Sequence, residues 1–571
     1  MASDPETMSA PAYPDAANPD LLPLIPLDAK VVLDVGCGAG ALGAGYLRRN
    51  PNARMLGIDL DPAAAATAAR RLSEVAMVDV EAEPMPFSVP DGIDCIVYGD
   101  VLEHLRDPWR VLRLHAEMLT ATGSVLVCVP NVEHWSMQMR LLAGSFEYEE
   151  MGLFDRTHLR WFSIDSMRRA LEGAGLVPCD VRARVFDAEP AGRFVAAIAP
   201  ALAALGIDRT AYARRATPLQ YIWRARRQAV PPIAVRSTML APVGGVSDVR
   251  VLAPMRAITT DPSVFTQIAP TEEMPAPTPG LPGICILHRP ILIGPDGLAR
   301  LRDLLAKGFV IVVEFDDHPD FMPILQNPEL LNFRGVHAVQ TSTPQLAETL
   351  RAINPEVAVF PNAIEELPEI VNFTNPDRLT LFFGAINREE DWLPYIGALN
   401  AVARAAGPRL QFAVLHDRPF FEALETPYKS FTPTTDYPTY LAQLAQADLS
   451  FMPLRDTAFN RAKSDLKFLE AAACRVAALA SPIAYGDTIE DGVTGLLFRD
   501  AAELQDRLLR LVANPDAARS LADAARAYVS RERMMADQVG SRIRWYRSLL
   551  ERRESLTASL LARVPELAQT S

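Results

Sequence analysis

Gly36, Gly38, Gly40 and Gly43 follow an apolar strand pattern in VVLDVGCGAGALG, Val31 to Gly43. A turn of residues without Cβ bends sharply and brings backbone amides close to a ligand at the start of the next helix, which suits a nucleotide-like cofactor. Asp59 ends the second strand pattern, MLGID, about 20 positions beyond the loop, where a carboxylate accepts hydrogen bonds from both ribose hydroxyls. Asp79, after the third strand in MVDVEAE, is placed to reach a base edge. Because G-x-G-x-x-G is present as Gly38, Gly40 and Gly43, spacing alone leaves a dinucleotide and an adenosyl cofactor equally open.

A second constellation lies in NRAKSDLKFLEAAA, Asn460 to Ala473. The spacing predicts that Ser464 caps a helix and that Lys463, Lys467 and Glu470, at i, i+4 and i+7, share one face near its start. Two cations and a helix N-terminus suit a diphosphate, and a carboxylate one turn deeper suits a ribose diol. Gly384 and Asn387, at the end of the strand pattern TLFFG, would let the backbone approach the same phosphates; the competing reading is a salt-bridged helix face. Glu314, Asp316, Asp317 and His318 end another strand pattern, VVEFDD, where the paired carboxylates, Asp316 among them, either position or deprotonate an acceptor hydroxyl or cap the following turn.

These residues must be held by alternating strands and helices. At 571 residues the chain has room for about three or four units of ordinary domain size. Strand and helix patterns alternate over about 30–180 and 245–535, the signature of parallel sheets covered by helices. VRVLAP, Val249 to Pro254, reads as the first strand of the second region, and Pro-rich Ala269 to Gly283 as a loop inside it. The boundaries expected are a disordered leader without a signal peptide at 1–29, a first domain at 30–180, a helical connector at 181–244, and two halves at 245–375 and 376–571, the last with terminal helices. Asp107-Pro108 begins a helix with Val111, Leu114 and Met118 on one face. The net charge of -14 argues against binding nucleic acid through phosphate neutralisation. Six scattered cysteines suggest reduced thiols, and Phe194 to Ile207 is too short to span a membrane.

Residues about 28–180 resemble class I S-adenosylmethionine-dependent methyltransferases. The resemblance rests on Asp34 before the glycine loop in LDVGCGAG, then IDLDP, DVEAEPMPF and CIVYGDVLEHLRDP. It implies an adenosyl cofactor held by Asp34, Gly36, Gly38, Gly40, Asp59, Asp79 and Asp100. Methyl transfer to a hydroxyl needs a base. His158, in GLFDRTHLRWFS, is one candidate, with Asp155 to orient it and acceptor binding as its competing role. His104, beside Glu103, is another, with a supporting structural role as the alternative. His115 reads as a packed histidine.

Residues about 245–540 resemble group 1 glycosyltransferases of the two-Rossmann GT-B architecture, through VVEFDD, VFPNAI, TLFFGAIN, the Asn460–Ser481 stretch and EDGVTGLLF. The resemblance implies a nucleotide sugar held by Gly384, Asn387, Asn460, Lys463, Ser464, Lys467 and Glu470 and transfer with retention; no metal is expected in either part of the chain. The family commonly carries two glutamates eight positions apart; the second matches Glu470, but Ala462 stands at the first, and an N-x-x-K-S loop substitutes in a subset of relatives. Of residues 388–391, only Arg388 supplies positive charge. The expected fold is therefore α/β, an N-terminal Rossmann-like methyltransferase followed by a GT-B glycosyltransferase.

The expected function is a bifunctional transferase of polysaccharide biosynthesis that methylates and glycosylates a glycan or lipid-linked glycan, in the cytoplasm or peripherally at the inner membrane face. The Arg- and aromatic-rich stretch 209–227 reads either as a membrane-surface contact or as a helical cover. Two alternatives stay open: a noncatalytic glycan-binding scaffold behind a methyltransferase, and a small-molecule methyltransferase with an unrelated fused domain.

Overall fold

The computed structural model describes residues 15–239, 245–270, 273, 275–319 and 323–568. The described residues form two compact units, one of residues 15–47 with Asn52–Pro231 and Thr260–Ser263, the other of Arg48–Pro51 with the described residues of 232–259 and 264–568.

The first unit is built on a seven-stranded sheet of β1 (Val31–Val35), β2 (Arg54–Asp59), β3 (Glu74–Met77), β4 (Ile93–Gly99), β5 (Leu119–Pro130), β6 (Val177–Arg184) and β7 (Gln220–Arg226). Their order is β3-β2-β1-β4-β5-β7-β6. Only β7 runs against its neighbours. The central strands read as continuous apolar runs because helices cover both faces. The order reverses between β1 and β4, both of which pair with parallel partners. A ligand crevice is expected outside the carboxyl ends of the strands at such a switch point.

The second unit holds two six-stranded parallel sheets. The first comprises β8 (Ile233–Met239), β9 (Val264–Pro270), β10 (Gly283–His288), β11 (Val310–Glu314), β12 (Ala338–Thr341) and β13 (Val357–Val359), in the order β13-β12-β11-β10-β8-β9. The second comprises β14 (Leu379–Gly384), β15 (Leu410–Leu415), β16 (Lys429–Thr432), β17 (Leu449–Met452), β18 (Ala477–Ala480) and β19 (Leu496–Leu497), in the order β16-β15-β14-β17-β18-β19. This is the pair of doubly wound sheets that the GT-B resemblance implies.

Several expectations need correction. Residues 1–14 of the expected disordered leader lie outside the described residues, but the rest of it is ordered. Leu21, Leu24, Ile25 and Leu27 are buried, and the Tyr46 hydroxyl donates to the Pro26 carbonyl at 2.8 Å. The stretch 181–244 is not a helical connector: it contains the end of β6, helices Glu189–Ala204 and Arg209–Ala216, and then β7 and β8. Val249 to Pro254 is helical rather than a strand, and β8 takes the place expected of it. A short apolar run cannot distinguish a buried strand from a buried helix by periodicity alone.

The membrane-surface reading of 209–227 loses its second half for a related reason. Tyr221, Ile222, Trp223, Arg224 and Arg226 are buried in β7. Arg224 pairs with Asp180 at 2.7 Å and Arg226 with Asp261 at 3.0 Å. These carboxylates are remote in sequence, so the basic stretch looks exposed until the partners are known. Among the described residues no helix is long and apolar enough to cross a membrane.

Two smaller corrections follow from packing. Asp107 caps helix Pro108–Ala116 through the Arg110 amide at 3.0 Å, but Leu114 is exposed and the buried face is Val111, Leu112, His115 and Ala116. The terminal helices, expected with the second half, also return to the first: Tyr546 donates to Gln340 at 2.9 Å, and Leu560 and Val564 enter the core around β10 and β11.

Candidate functional site

In the first unit, the loop after β1 turns through left-handed backbone at Gly36 (φ 71°) and Gly38 (φ 55°). A Cβ on Gly36 would meet the Val101 side chain at 2.5 Å, whereas one on Gly38 would meet nothing within 4 Å. The space over Gly38 is a cradle that only a residue without Cβ leaves open to a ligand. Asp59 closes it: Oδ2 accepts from the Gly38 amide at 2.7 Å and Oδ1 from the Asp61 amide at 2.9 Å. Each oxygen keeps acceptor capacity for a ribose hydroxyl. Gly40, also left-handed at φ 80°, ends the turn as the helix Ala41–Arg49 begins. Asp79 is half-buried after β3 and accepts from the Glu81 amide at 2.9 Å. The donor set and the open glycine turn fit an adenosyl cofactor.

Asp34 is buried at the end of β1, and burial, with Asp59 beside it, pushes its pKa up to about 7. The folded unit therefore keeps a proton that the unfolded chain releases near pH 3.9, so the unfolded state binds fewer protons across this window and stability falls as pH rises from about 4 to 7. The full effect is on the order of 4 kcal/mol. Asp34→Asn should flatten that slope in urea denaturation; an unchanged slope would assign it to another group.

Asp100 follows β4 in a left-handed conformation, φ 59°, and accepts a hydrogen bond from Gln220 on β7. Gln220 accepts in turn from Arg184, which also holds Asp20 at 2.8 Å. Arg184, Asp20, Phe186 and Ile222 line a cavity of about 320 Å³. Sequence reading missed Gln220, Arg184 and Asp20, because β7 and the chain's beginning join this edge only through tertiary contacts.

Beyond β4, the two candidate histidines meet at a ring separation of 4.8 Å. Asp155 does not orient His158 through a hydrogen bond as expected. Its Oδ1 accepts from the Thr157 hydroxyl at 2.6 Å, and that hydroxyl lies 2.9 Å from Nδ1 of His104. A hydroxyl whose one proton goes to a carboxylate can only accept elsewhere, so Nδ1 of His104 is the protonated nitrogen. His158 Nδ1 faces the Leu153 carbonyl at 3.3 Å and must also donate. Both rings, when neutral, thus keep their lone pair on Nε2. Burial and the neighbouring His104 hold His158 below the ordinary histidine pKa. Close to both lies Glu103, 1% exposed, with neither carboxylate oxygen hydrogen-bonded. His115 is packed as expected, 2.6 Å from the Tyr98 hydroxyl, and burial pushes it down to about 4.

In the second unit, the helix predicted to start at Ser464 runs over Leu466–Ala473, with Asp465 at its N-cap making no side-chain cap bond. Ser464 does not cap; its hydroxyl accepts from Asn362 at 2.8 Å. The Phe468 amide donates to the Asp465 carbonyl at 2.9 Å, so of the first turn the Leu466 and Lys467 amides are the ones available to an anion. Lys463 lies before this helix and pairs with Asp317 at 2.6 Å, joining the two sheets across their cleft. Lys467 donates to the Gly384 carbonyl, and burial lowers its pKa. Glu470 accepts from Tyr437 and Tyr440, both at 2.9 Å. Asn387 is left-handed, φ 55°. Arg388 is held by Asp391 at 3.0 Å and by Asn460 at 2.9 Å. The arrangement fits a pyrophosphate that competes for Lys463 and Lys467, although the tyrosines on Glu470 were not anticipated.

Glu314 is not at the acceptor surface. It is fully buried, with Arg250 on Oε1 at 2.9 Å and Gln340 on Oε2 at 2.7 Å. Asp316 is paired with Arg289 at 2.7 Å. Against burial, which raises its pKa, Arg289 and Arg250 hold Asp316 below the ordinary carboxylate range. An ionised, paired carboxylate is a poor base, so its geometry favours positioning over deprotonation.

The fold is an α/β chain of doubly wound sheets, with the glycine turn and Asp59 in the first unit and Lys463, Lys467 and Glu470 at a helix start in the second. Residues 13–180 match the family described as "Methyltransferase domain", and residues 377–514 match "Glycosyl transferases group 1". The chain thus joins a methyltransferase domain to a group 1 glycosyltransferase region.

The first part is 28% identical over 159 residues to a ubiquinone biosynthesis O-methyltransferase of Aeromonas salmonicida, an overlap covering 27% of this chain and 66% of that protein. It is 35% identical over 112 residues to the enzyme of the same name from Pseudomonas entomophila, covering 19% and 47%. Among solved structures, a mutant S. aureus TarM in complex with fondaparinux, alpha-GlcNAc-glycerol and UDP overlaps 47% of this chain and 55% of its own, at 14% identity and TM-score 0.36. The plantazolicin methyltransferase BpumL in complex with SAH overlaps 35% and 77%, at 16% identity and TM-score 0.24.

Proposed function

We propose that the chain methylates and glycosylates a cell-surface glycan precursor, free or lipid-linked, at the cytoplasmic face of a membrane. The observation that supports this reading is that one polypeptide holds an open glycine turn tied to Asp59 and, in its other unit, Lys463, Lys467 and Glu470 grouped about the start of one helix. S-adenosylmethionine supplies an electrophilic methyl group. The chain's own part is to hold the nucleoside with Asp59 and Asp79 and to offer the Nε2 lone pairs of His104 and His158 to the proton that an acceptor hydroxyl sheds. In the second unit, the side chains of Lys463 and Lys467 and the amides of Leu466 and Lys467 take the charge of a sugar-nucleotide diphosphate, and Asp316 positions the acceptor.

A second reading, a noncatalytic glycan-binding scaffold, is favoured by Ala462 where a sugar-contacting glutamate is common, and by the pairing of Arg388 and Lys463 with protein carboxylates. Incubating the full chain with methyl-labelled S-adenosylmethionine, labelled nucleotide sugars and glycan-lipid acceptors should put both labels on one product. Methyl label without sugar transfer or nucleotide-sugar hydrolysis would establish the scaffold, and neither label would overturn both readings. Lys467→Ala should weaken nucleotide-diphosphate binding about tenfold or more in calorimetry and leave S-adenosylhomocysteine affinity unchanged; equal loss of both would indicate misfolding.

A further inference from the structure

We propose that Glu103, His104 and His158 form a binding site for one divalent transition-metal ion, with open coordination positions for an acceptor that carries a hydroxyl beside a second oxygen. One ligand atom from each of the three residues lies within 4.8 Å of the others. Bonds of ~2.1 Å in a tetrahedral site place ligand atoms about 3.4 Å apart, so side-chain adjustments of about an ångström close the set. Two imidazoles and one carboxylate leave positions open and favour a transition metal over magnesium or calcium, which prefer oxygen-only shells.

Three observations support a cation here rather than a packed polar cluster. First, Glu103 is 1% exposed and neither of its oxygens has a hydrogen-bond partner. A carboxylate so placed carries a large desolvation cost that no side chain of the protein offsets. Second, each histidine is fastened through Nδ1, His104 by Thr157 backed by Asp155 and His158 by the Leu153 carbonyl. That leaves Nε2 of each as the ligating atom, the outer arrangement that metal-bound histidines require. Third, the nearby charges that act on Glu103 are carboxylates, Asp100 and Asp155. A bound cation would neutralise this negative pocket.

The inference deepens the methyl-transfer reading and rests on it. With the ion bound, Nε2 of His104 and of His158 are taken up as ligands and no longer serve as the base; the ion instead lowers the pKa of the acceptor hydroxyl it binds, the proton passes to solvent water, and the resulting alkoxide takes the methyl group. A vicinal diol of a sugar presents the two adjacent oxygens that such a site accommodates.

The test uses the tag-free full chain, stripped with chelator and dialysed against Mn2+, Co2+ or Zn2+, with metal counted by mass spectrometry and the Co2+ absorption spectrum recorded. One ion per chain is expected in the wild type, with a Co2+ spectrum showing nitrogen ligation. Glu103→Gln and His158→Gln should lose that ion while still binding S-adenosylhomocysteine. Thr157→Val, which removes only the tether on His104, should weaken cation affinity about 10- to 100-fold. Failure of the wild type to retain any ion overturns the proposal whatever the variants do, as does an ion that persists unchanged in Glu103→Gln. S-adenosylhomocysteine binding without the ion would sink the cation site alone, whereas its absence from wild type would sink the methyltransferase reading beneath it.

Discussion

Alanine at Asp59 is expected to weaken S-adenosylmethionine binding by ~1.5–3 kcal/mol, about 10- to 150-fold, while leaving nucleotide-diphosphate affinity unchanged. The carboxylate has two tasks. It accepts the Gly38 amide, fixing the glycine turn, and it offers its remaining lone pairs to the ribose diol. Asp59→Asn should be milder, since its amide oxygen can still accept one bond, although the negative charge is gone. Calorimetry on the full chain reads both variants. Unchanged affinity in Asp59→Ala would remove this residue from the site.

The largest stability loss is expected from Glu314→Ala, about 3–5 kcal/mol. Glu314 lies at the centre of a buried polar network. Arg250 and Gln340 hold its two oxygens, Gln340 is tied to Tyr546 of a terminal helix, and Arg250 also donates to the Phe360 carbonyl and to Asn362, both at 2.8 Å. Removing the carboxylate leaves the buried Arg250 guanidinium without the carboxylate it bonds directly, with Asp316 as a more distant negative charge, and this costs more than the lost contacts themselves. Asp316→Asn, at the rim of the cleft, should cost far less and act on glycosyl transfer. Denaturant unfolding of the two variants separates a core role from an acceptor role; a stable Glu314→Ala chain with lost activity would restore Glu314 to the acceptor site.

What could be read from sequence were relations close along the chain. The glycine turn, Asp34 before it and Asp59 at the next strand end are set by one strand–helix–strand unit, whose geometry fixes where each residue falls. The Asp107 cap is local in the same sense. What escaped were partners brought in by the tertiary fold. Arg224 looks like a surface cation until β7 inserts between β5 and β6 and sets it against Asp180. Thr157, not adjacency to His158, carries the influence of Asp155 to His104. Tyr437 and Tyr440 come from a helix well before Glu470 and have no motif of their own. Glu314 was misassigned because a carboxylate at the end of a strand is as suited to a buried arginine as to a substrate. Ser464 was misassigned because the helix begins after it and Asn362 claims its hydroxyl.

The claim on which the account depends is that two independent nucleotide-type sites lie in separate units of one chain. Calorimetric titration of the wild type, Asp59→Ala and Lys467→Ala, each with S-adenosylhomocysteine and with a panel of nucleotide diphosphates, tests it directly. The prediction is one-to-one binding of both ligands by the wild type, with each substitution weakening only its own ligand and neither ligand altering the binding of the other. Competition between the two ligands for one site, or a wild type that binds only one of them, would contradict it.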